Sequence, residues 1–432
     1  MQFADNGSGL TLVRFDWFNE MRVEIPNAVN GKPVTEIGSE AFKYCYADEV
    51  ILPENLTRIA DKAFEGCAYL TNVKIPASCT EIGAEAFSGC EKLAVIDLPS
   101  TVRFIGKDAF AGVTMLQASS KSMIMLGDGI LYAYQRTGSF AEIPDGVKII
   151  GASVFEGNTE LRSVSIPASV HTILDSAFAG CTELGTVDAK GDLAEIGANA
   201  FTGTDWLESS KDDYVTLGGC LVAYKGKDSV AEVPASVHSI GGRAFAGNAA
   251  ITTLRLPDAV TRIGRSAFED CTSLQVVTLG EHVTEIGDRA FFGCKTLHYL
   301  RLGHALETVG SEAFVSCPAL QTVYLPDTVK TVGDKAFGYG YNAETAQYDA
   351  QAQSLTLYAN AAPVLEYARN AGIAQQPLPE TENTEPAPEI TTVAGGADRV
   401  GSISGSAWMY AAGIGGVLLL AGIIGGMIRK RK

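Results

Sequence analysis

Cysteine is the residue type here with the widest potential chemistry, since thiolates bind metal ions, form disulfides and act as nucleophiles. Seven of the nine cysteines stand three residues after a phenylalanine: Cys45, Cys67, Cys90, Cys181, Cys271, Cys294 and Cys317. The other two replace apolar residues of similar segments, Cys79 in the slot of Val170 and Cys220 in that of Ile130. No C-x-x-C pair or Cys/His cluster favours a metal site. We expect buried, reduced thiols, with disulfides between similar segments as the alternative.

Histidine, a common general base and metal ligand, is scarce in this sequence. Of the five histidines, His171 and His238 occupy a slot that holds threonine in similar segments, such as Thr57. The acidic residues form no calcium-loop motif, and we find no phosphate-cradling glycine motif, G-x-S-x-G or H-E-x-x-H. We therefore expect no catalytic, metal or cofactor site, and predict that the protein is not an enzyme.

Charge and composition exclude a further class of function. The formal net charge is -17 with only 19% charged residues, so no basic stripe is available to neutralise phosphates. Nucleic acid is therefore not an expected partner. Hydrophobic residues make up 46% of the chain, which is enough apolar material for a folded core.

The cysteines and most of the histidines described above lie within a repeated sequence pattern. The segments EIGSEAFKYC, RIADKAFEGC, EIGAEAFSGC and RIGRSAFEDC share the pattern I-G-x-x-A-F-x-G-C. Copies follow at a spacing of about 23 residues, which is typical of a repeat array. Two gaps of double length hold similar variants, LGDGILYAYQ and LGGCLVAYKG, so we predict one continuous array without a second domain. The marker phenylalanines are Phe42, Phe64, Phe87, Phe110, Phe155, Phe178, Phe201, Phe245, Phe268, Phe291, Phe314 and Phe337.

A second pattern, L-x-x-V-x-I-P, lies between the markers, as in LTNVKIP, LRSVSIP, ITTLRLP and LQTVYLP. Its alternation predicts a short strand with one apolar face, and its proline ends the strand. One such strand cannot bury its apolar face alone, so the copies must stack. We predict a right-handed, strand-rich α/β repeat solenoid in which the Ala-Phe pair and the preceding Ile form core ladders. The glycine of I-G should adopt a backbone conformation that a side chain would oppose.

The two patterns together resemble the BspA-like leucine-rich repeats, found largely in bacterial surface proteins. The resemblance covers roughly residues 10 to 373, including end segments VEIPNAVNGKPVTEIG and LTLYANAAPVLEYARNAGI. It implies a leucine-rich repeat solenoid at a cell surface, with adhesion and host contact rather than one shared chemistry. The predicted organisation is an N-terminal capping unit at 1–33, repeats at 34–340 and a C-terminal capping unit at 341–373.

Residues that bind a partner are therefore expected at the outward positions of the predicted strands. These positions should form two rows on the concave side of the solenoid. Tyr299, Arg301 and Tyr324 are the strongest candidates, because aromatic residues and arginine dominate binding hot spots. Thr253 is a neighbouring outward position. The alternative is an ordinary solvated sheet surface. The candidate binding face comprises Asn72, Lys74, Asp97, Asp188, Arg255, Tyr299, Arg301 and Tyr324.

Beyond residue 373 the composition changes. Residues 374–406 are rich in Pro, Glu, Thr, Gly and Ser and predict an extended linker. Residues 407–428 carry no charge and, as a helix, are long enough to cross a membrane. The basic residues 429–432 predict a cytoplasmic tail, with the repeats outside the cell. Because MQFADNGSGL does not resemble a signal peptide, we expect that the given sequence begins after the natural start.

Two functional hypotheses follow. The first is a membrane-anchored protein of the bacterial cell surface that mediates protein-protein or cell/matrix adhesion through the concave strand face. Its partner would be an extracellular or host protein or matrix ligand. The alternative is a structural envelope spacer without a ligand of its own.

Overall fold

The I-G segments form two-residue strands whose backbone groups pair with the same segment of the neighbouring repeat. In the computed structural model of the protein, Arg58 lies opposite Glu81 and Ile59 opposite Ile82, in parallel. The Gly83 N–H then donates to the Ile59 carbonyl at 2.8 Å. Stacking therefore satisfies the backbone of strands that are too short to form hairpins of their own.

The structure describes residues 1–7, 9–16, 20–99, 101–102, 104–117, 122–135, 138–350 and 354–379, with the backbone alone for Val95, Asp97 and Met115. Three stretches of this range, residues 1–117, 122–209 and 214–376, each begin with an antiparallel hairpin, and we call them modules 1, 2 and 3. Module 1 contains β1 (Gln2–Asp5), β2 (Leu10–Arg14), β3 (Arg22–Glu24), β4 (Ala28–Val29), β5 (Lys32–Ile37), β6 (Glu49–Ile51), β7 (Arg58–Ile59), β8 (Asn72–Lys74), β9 (Glu81–Ile82), β10 (Val95–Asp97), β11 (Phe104–Ile105) and α1 (Thr114–Gln117).

Modules 2 and 3 repeat this order. Module 2 contains β12 (Met123–Leu126), β13 (Ile130–Tyr134), β14 (Phe140–Glu142), β15 (Ile149–Ile150), β16 (Ser163–Ile166), β17 (Thr172–Ile173), β18 (Thr186–Ala189), β19 (Glu195–Ile196) and α2 (Asp205–Ser209). Module 3 contains β20 (Tyr214–Leu217), β21 (Cys220–Tyr224), β22 (Val230–Glu232), β23 (Ser239–Ile240), β24 (Thr253–Arg255), β25 (Arg262–Ile263), β26 (Val276–Thr278), β27 (Glu285–Ile286), β28 (Tyr299–Arg301), β29 (Thr308–Val309), β30 (Thr322–Tyr324), β31 (Thr331–Val332), β32 (Tyr339–Asn342), β33 (Gln347–Ala350), β34 (Thr356–Tyr358), α3 (Ala362–Ala371) and β35 (Ala374–Gln376).

Two kinds of sheet run along the stack. The I-G strands form the sheets β1-β2-β5-β7-β9-β11, with β4 beside β5, then β12-β13-β15-β17-β19 and β20-β21-β23-β25-β27-β29-β31. The strands of the second pattern, called V-x-I strands below, form the sheets β3-β6-β8-β10, β14-β16-β18, β22-β24-β26-β28 and β30-β34-β35. Both kinds of sheet are interrupted where a new module begins.

The hairpins that open the modules share one arrangement. The second strand of each pairs in parallel with the first I-G strand of its module, which places Leu12 opposite Ile37, Leu131 opposite Ile150 and Leu221 opposite Ile240. An aromatic residue three positions later packs its ring against the first marker phenylalanine of the module, in the pairs Phe15–Phe42, Tyr134–Phe155 and Tyr224–Phe245. The variant copies in the two long gaps are therefore the starts of modules 2 and 3.

The marker phenylalanines form the core ladder that the sequence predicts. Within each module, consecutive rings stack with centroids 4.8 to 5.3 Å apart, and the residue before each marker, which is alanine in every copy except for Val154, is buried as well. Each marker that is followed by another marker in its module also donates its backbone N–H to the alanine carbonyl of that next copy, as Phe64 does to Ala86 at 2.7 Å. The predicted stacking of the copies is confirmed.

Tyrosine hydroxyls complete the ladder at the last markers of modules 1 and 3. The Phe110 N–H donates to the Tyr132 hydroxyl at 2.9 Å, beyond the last marker of module 1. At the end of module 3, the Tyr367 hydroxyl accepts from the Phe337 N–H and donates to the Phe337 carbonyl, both at 2.8 Å. These hydroxyls pair backbone groups that would otherwise be buried without a partner.

The prediction that backbone conformation requires the glycine of the I-G pair was wrong. Gly83 does not have a positive φ; a Cβ there would lie 2.5 Å from the backbone nitrogen of Asp61, so close packing between copies excludes a side chain. The left-handed conformation occurs two residues before each marker, at non-glycine residues such as Lys62 (φ 60°) and Glu85 (φ 55°). The residue types at these positions did not indicate a positive φ.

The helical part of the predicted α/β class is a further correction. In the described ranges, helix is confined to α1, α2 and α3, of 4, 5 and 10 residues. The Ala-Phe segments close in hydrogen-bonded turns instead, as where the Cys67 N–H donates to the Phe64 carbonyl. The fold is a strand-rich β-solenoid, because each short repeat returns through turns rather than through a full helix.

The described residues 1–379 belong to one compact unit. Among the described residues, every helix falls short of the length and apolarity needed to cross a membrane. Of the predicted linker at 374–406, only residues 374–379 are described; the predicted membrane helix at 407–428 and tail at 429–432 lie outside the described residues.

Candidate functional site

The candidate face consists of the outward side chains of the V-x-I strands. The middle residue of each strand is buried in the core, as shown by Val73, Leu254 and Leu300. Because side chains alternate along a strand, the first and third residues point away from that core. Parallel pairing then aligns first residues with first residues and third with third, as Val276 with Tyr299 and Thr278 with Arg301.

The candidates of modules 1 and 2 are solvated. Asn72 and Lys74 are exposed on β8, and Asp188 is exposed on β18, where its carboxylate pairs with Lys190. Asp97 lies opposite Lys74 in the strand register, but its side chain is outside the described part of the structure.

The candidates of module 3 are closer together and more enclosed. Arg255, Thr278 and Arg301 are consecutive third residues of β24, β26 and β28. Arg255 pairs with Glu232 at 2.8 Å on the preceding strand. Arg301 pairs with Glu281 at 2.5 Å, and its side chain is only 29% exposed.

Two tyrosines lie beside these arginines. Tyr299 is half-buried on β28, two residues before Arg301. Tyr324 is half-buried on β30, and its ring stacks on Tyr358 with centroids 4.7 Å apart. Module 3 therefore combines arginine with partly buried aromatic rings, whereas modules 1 and 2 contribute isolated polar residues.

The eight predicted site residues do not form one uninterrupted pair of rows. Arg255, Tyr299 and Arg301 share a hydrogen-bonded sheet, while Tyr324 begins the next sheet. Asn72, Lys74 and Asp97 belong to module 1, and Asp188 belongs to module 2. The interruptions between modules arise because the hairpins of modules 2 and 3 begin new sheets, whereas the break between β28 and β30 lies within module 3.

Two features of the face differ from the sequence-based expectation. Thr253 points outward but is only 5% exposed, so it is not displayed on the surface. Phe140, which the sequence reasoning missed, is 55% exposed on β14 and lies opposite Ser163. The segment FAEIP carries the same alternation and proline as the other strands, and this signal in the variant copy could have identified it.

The thiols have a structural role in the core. All nine cysteines are buried and free of disulfides, which confirms the expected reduced thiols. Six of them donate Sγ–H to the carbonyl of a marker phenylalanine of the preceding copy at 2.9 to 3.3 Å, as Cys294 does to Phe268. Burial raises the pKa of Cys271 and of Cys317 to about 12, so these thiols stay protonated near neutral pH.

The described residues offer little for chemistry on a small molecule. They contain no group of three or more His, Cys, Asp or Glu side chains placed to hold a metal ion. A cavity beside Phe314 and Cys317 has a volume of about 20 Å³, which is room for one water molecule. An extended face is the better candidate for a binding function.

Comparison with known families agrees with this geometry. The BspA type leucine-rich repeat region matches residues 17–126, 125–211 and 224–355 in six copies, which together are more than half of the chain. This chain belongs to the BspA-type leucine-rich repeat family. Its proteins are bacterial cell-surface proteins of the leucine-rich repeat class. No curated protein matches the sequence significantly.

Several solved leucine-rich repeat proteins are similar to this BspA-type chain. A leucine-rich cell surface protein from Faecalibacterium prausnitzii is 22% identical, covering 77% of this chain and 92% of its own, with a TM-score of 0.29. A leucine-rich repeat protein from Bacteroides ovatus is 22% identical, covering 88% and 97%, with a TM-score of 0.29. One from T. pallidum is 30% identical, covering 44% and 82%, with a TM-score of 0.25.

Proposed function

We propose that this BspA-type protein is an adhesion protein of the bacterial cell surface that binds a protein or matrix partner through its outward strand face. The observation that carries the proposal is the group on module 3, where Arg255, Tyr299, Arg301 and Tyr324 occupy outward positions of the V-x-I strands β24, β28 and β30. Tyrosine and arginine are enriched among the few residues that carry most of the binding energy in protein interfaces.

We also propose that residues 407–428 anchor the chain in the membrane, with the repeats outside the cell. The support is sequence alone, since this segment lacks charge and precedes the basic residues 429–432. Protease treatment of intact cells tests the topology. Digestion of the repeats is expected, and full protection would contradict the outward orientation.

A triple alanine variant tests the face. The full-length chain with Tyr299→Ala, Arg301→Ala and Tyr324→Ala is displayed on cells, and attachment to a panel of immobilised extracellular-matrix proteins and host cells is measured. If these residues are hot spots, the affinity for the bound panel member should fall at least tenfold, because each truncation typically costs more than about 1 kcal/mol.

A matched control distinguishes the effect of changing the outward strand face from the effect of removing exposed tyrosines elsewhere on the protein. Tyr44, Tyr46 and Tyr69 are exposed on turns outside the V-x-I strands, and their triple alanine variant should attach normally. Surface display and the thermal midpoint are recorded for both variants, since Tyr324→Ala also removes the ring contact with Tyr358. Normal attachment by the Tyr299, Arg301 and Tyr324 variant would contradict the proposed face.

A structural spacer without its own ligand is the second candidate function. The solvated polar positions of modules 1 and 2, such as Asn72, Lys74 and Asp188, favour it, because they are typical of an ordinary sheet surface. If the wild-type chain attached to nothing in the panel while remaining displayed on cells, the spacer function would replace adhesion.

A further inference from the structure

The V-x-I sheet of module 2 ends at β18 without a strand beside it. The regular spacing would start another V-x-I strand at about residue 209, but there the chain forms α2 and the loop that leads to β20. The next V-x-I strand, β22, belongs to the sheet of module 3 and is not paired with β18. The outward face therefore lacks one strand between β18 and β22.

The backbone of β18 is unpaired on the side of the missing strand. On its other side, the Thr186 N–H donates to the Arg162 carbonyl beside β16 at 3.2 Å. Because the backbone groups of successive residues point to opposite sides of a strand, those of Val187 and Ala189 point away from β16. Neither residue makes a backbone hydrogen bond there to a described residue. An open edge of this kind is a template for pairing with another chain.

The apolar side chains at this edge are also partly uncovered. Val187 is half-buried, whereas the equivalent Val164 of β16 is buried between two strands. Ile96, in the last V-x-I strand of module 1, is the other described apolar middle residue that is not buried. Helix α2 covers the core rather than the edge of β18, since its Trp206 ring packs against Phe201 with centroids 4.9 Å apart. The edge is therefore accessible to a partner.

Exposed carboxylates lie beside this edge. Asp205 is placed there by its Oδ2, which would lie 3.2 Å from a Cβ at Gly185, the residue before β18. Lys225 is held at the end of α2, where its Nζ binds the Glu208 carbonyl at 3.2 Å. Four carboxylates of this stretch are exposed and make no ion pair with a described residue: Asp205, Glu208, Asp212 and Asp213. They outnumber Lys211, the one cation between them, so the gap suits a cationic segment.

We propose that the open edge of β18 binds an extended, basic segment of a partner protein as an added parallel strand. In this kind of recognition, main-chain pairing supplies affinity and alternate side chains supply specificity. The inward side chains of the segment contact Val187 and Ala189 and should be apolar, while the outward ones should be lysine or arginine. The site is separate from the arginine and tyrosine group of module 3, so it goes beyond the adhesion function proposed above.

The chain itself does not supply a suitable segment. A second copy carries a formal net charge of -17, which opposes docking at an acidic gap. The segment that follows the described residues reads ETENTEPAPE, and its glutamates would be repelled while its prolines cannot donate to a strand. A basic segment of another protein is therefore the occupant that fits the gap.

The first test is amide hydrogen exchange in the free full-length protein, resolved to single residues. The Val187 amide should exchange at least about 100-fold faster than the Val164 amide, because the backbone of Val164 faces β18 whereas that of Val187 faces no strand. Similar protection of the two amides would mean that the edge of β18 is already paired, and the proposal would be overturned.

The second test uses a fluorescently labelled octapeptide in which lysine and valine alternate, with binding to the full-length protein measured by fluorescence polarisation. Replacing every lysine by glutamate should weaken binding at least about tenfold. N-methylation of the lysine backbone nitrogens should do the same, because these N–H groups point to β18 when the valines face inward in a parallel strand. N-methylation of the valine nitrogens is the matched control and should change the affinity by less than about threefold.

Charge variants of the protein test whether the peptide binds at this gap. Affinity for the lysine peptide should fall at least about tenfold in the variant with Asp205→Asn, Glu208→Gln, Asp212→Asn and Asp213→Asn. The matched control removes four exposed carboxylates elsewhere and should change the affinity by less than about threefold at physiological salt: Glu91→Gln, Asp327→Asn, Glu344→Gln and Asp349→Asn. Bound peptide should also slow exchange of the Val187 amide in the wild-type protein.

Three results would overturn the proposed site. The first is a lysine peptide that does not bind the wild-type protein or leaves exchange at Val187 unchanged. The second is unchanged affinity after methylation of the lysine nitrogens, which would mean that main-chain pairing does not hold the peptide. The third is equal weakening in the two charge variants. None of these results alters the cell-attachment assay of the Tyr299, Arg301 and Tyr324 variant, so the adhesion function stands or falls separately.

Discussion

Truncation of one marker phenylalanine in the middle of module 3 provides the sharpest test of the stacked core. Phe291 is fully buried, and its ring lies 4.9 Å from that of Phe268 and 5.1 Å from that of Phe314. Phe291→Ala therefore removes the ring from between two neighbours and leaves a cavity in the stack. Phenylalanine-to-alanine changes in a core cost about 3–5 kcal/mol. We expect about 4 kcal/mol, because the ring has stacking partners on both faces.

The assay is equilibrium urea unfolding of the full-length protein followed by far-ultraviolet circular dichroism. Since each copy contacts only its neighbours, the loss should be concentrated in module 3 and should split the unfolding curve, with module 3 unfolding first. Phe140→Ala is the matched control, because Phe140 is 55% exposed and its truncation should change the free energy of unfolding by less than about 0.5 kcal/mol.

Two results would refute this reasoning. A loss below about 2 kcal/mol for Phe291→Ala would mean that the ring ladder is not tightly packed. An equal loss for Phe140→Ala would mean that burial in the stack does not determine the cost of removing a ring.

Four further predictions concern the thiols, the end of the ladder and the left-handed positions. Because burial raises the pKa of Cys317 from 9.0 to about 12, the unfolded chain releases this proton first, so the free energy of unfolding should decrease as pH rises from 9 to 12. Reductant should leave the thermal midpoint unchanged, and a drop would indicate disulfides. Tyr367→Phe should cost about 1–3 kcal/mol in urea unfolding, because it leaves the buried Phe337 backbone groups without their hydroxyl partner; an unchanged midpoint would contradict that role. Glu85→Gly should be neutral or stabilise by up to about 1 kcal/mol, since φ is 55° there, and a clear destabilisation would contradict the backbone argument.

Much of the fold could be predicted because each copy of the repeat has the same residue types at its buried positions and at the end of its strand. The buried ladder of Phe64, Phe87 and their counterparts, the cysteine slot and the strand that ends at proline each depend on residue type within one copy. Stacking then follows, since one copy cannot bury its own apolar face. The candidate face could be located to the outward strand positions for the same reason.

Other features depend on contacts between copies that spacing does not reveal. The left-handed residues include Lys62 and Glu85, whose types do not favour a positive φ, so only the stacked backbone requires it. Thr253 and Asn72 are both the first residue of a V-x-I strand, yet Thr253 is buried and Asn72 is exposed, and the repeat pattern does not distinguish them.

The sequence by itself determined the period, the identity of the core ladder and the solenoid class, because a regular repeat must satisfy the same local packing in every copy. The tertiary structure decided the division into three modules and the pairing of Arg301 with Glu281. These depend on which copies meet and on side chains that are distant along the chain, and their physical cause is long-range packing rather than local propensity.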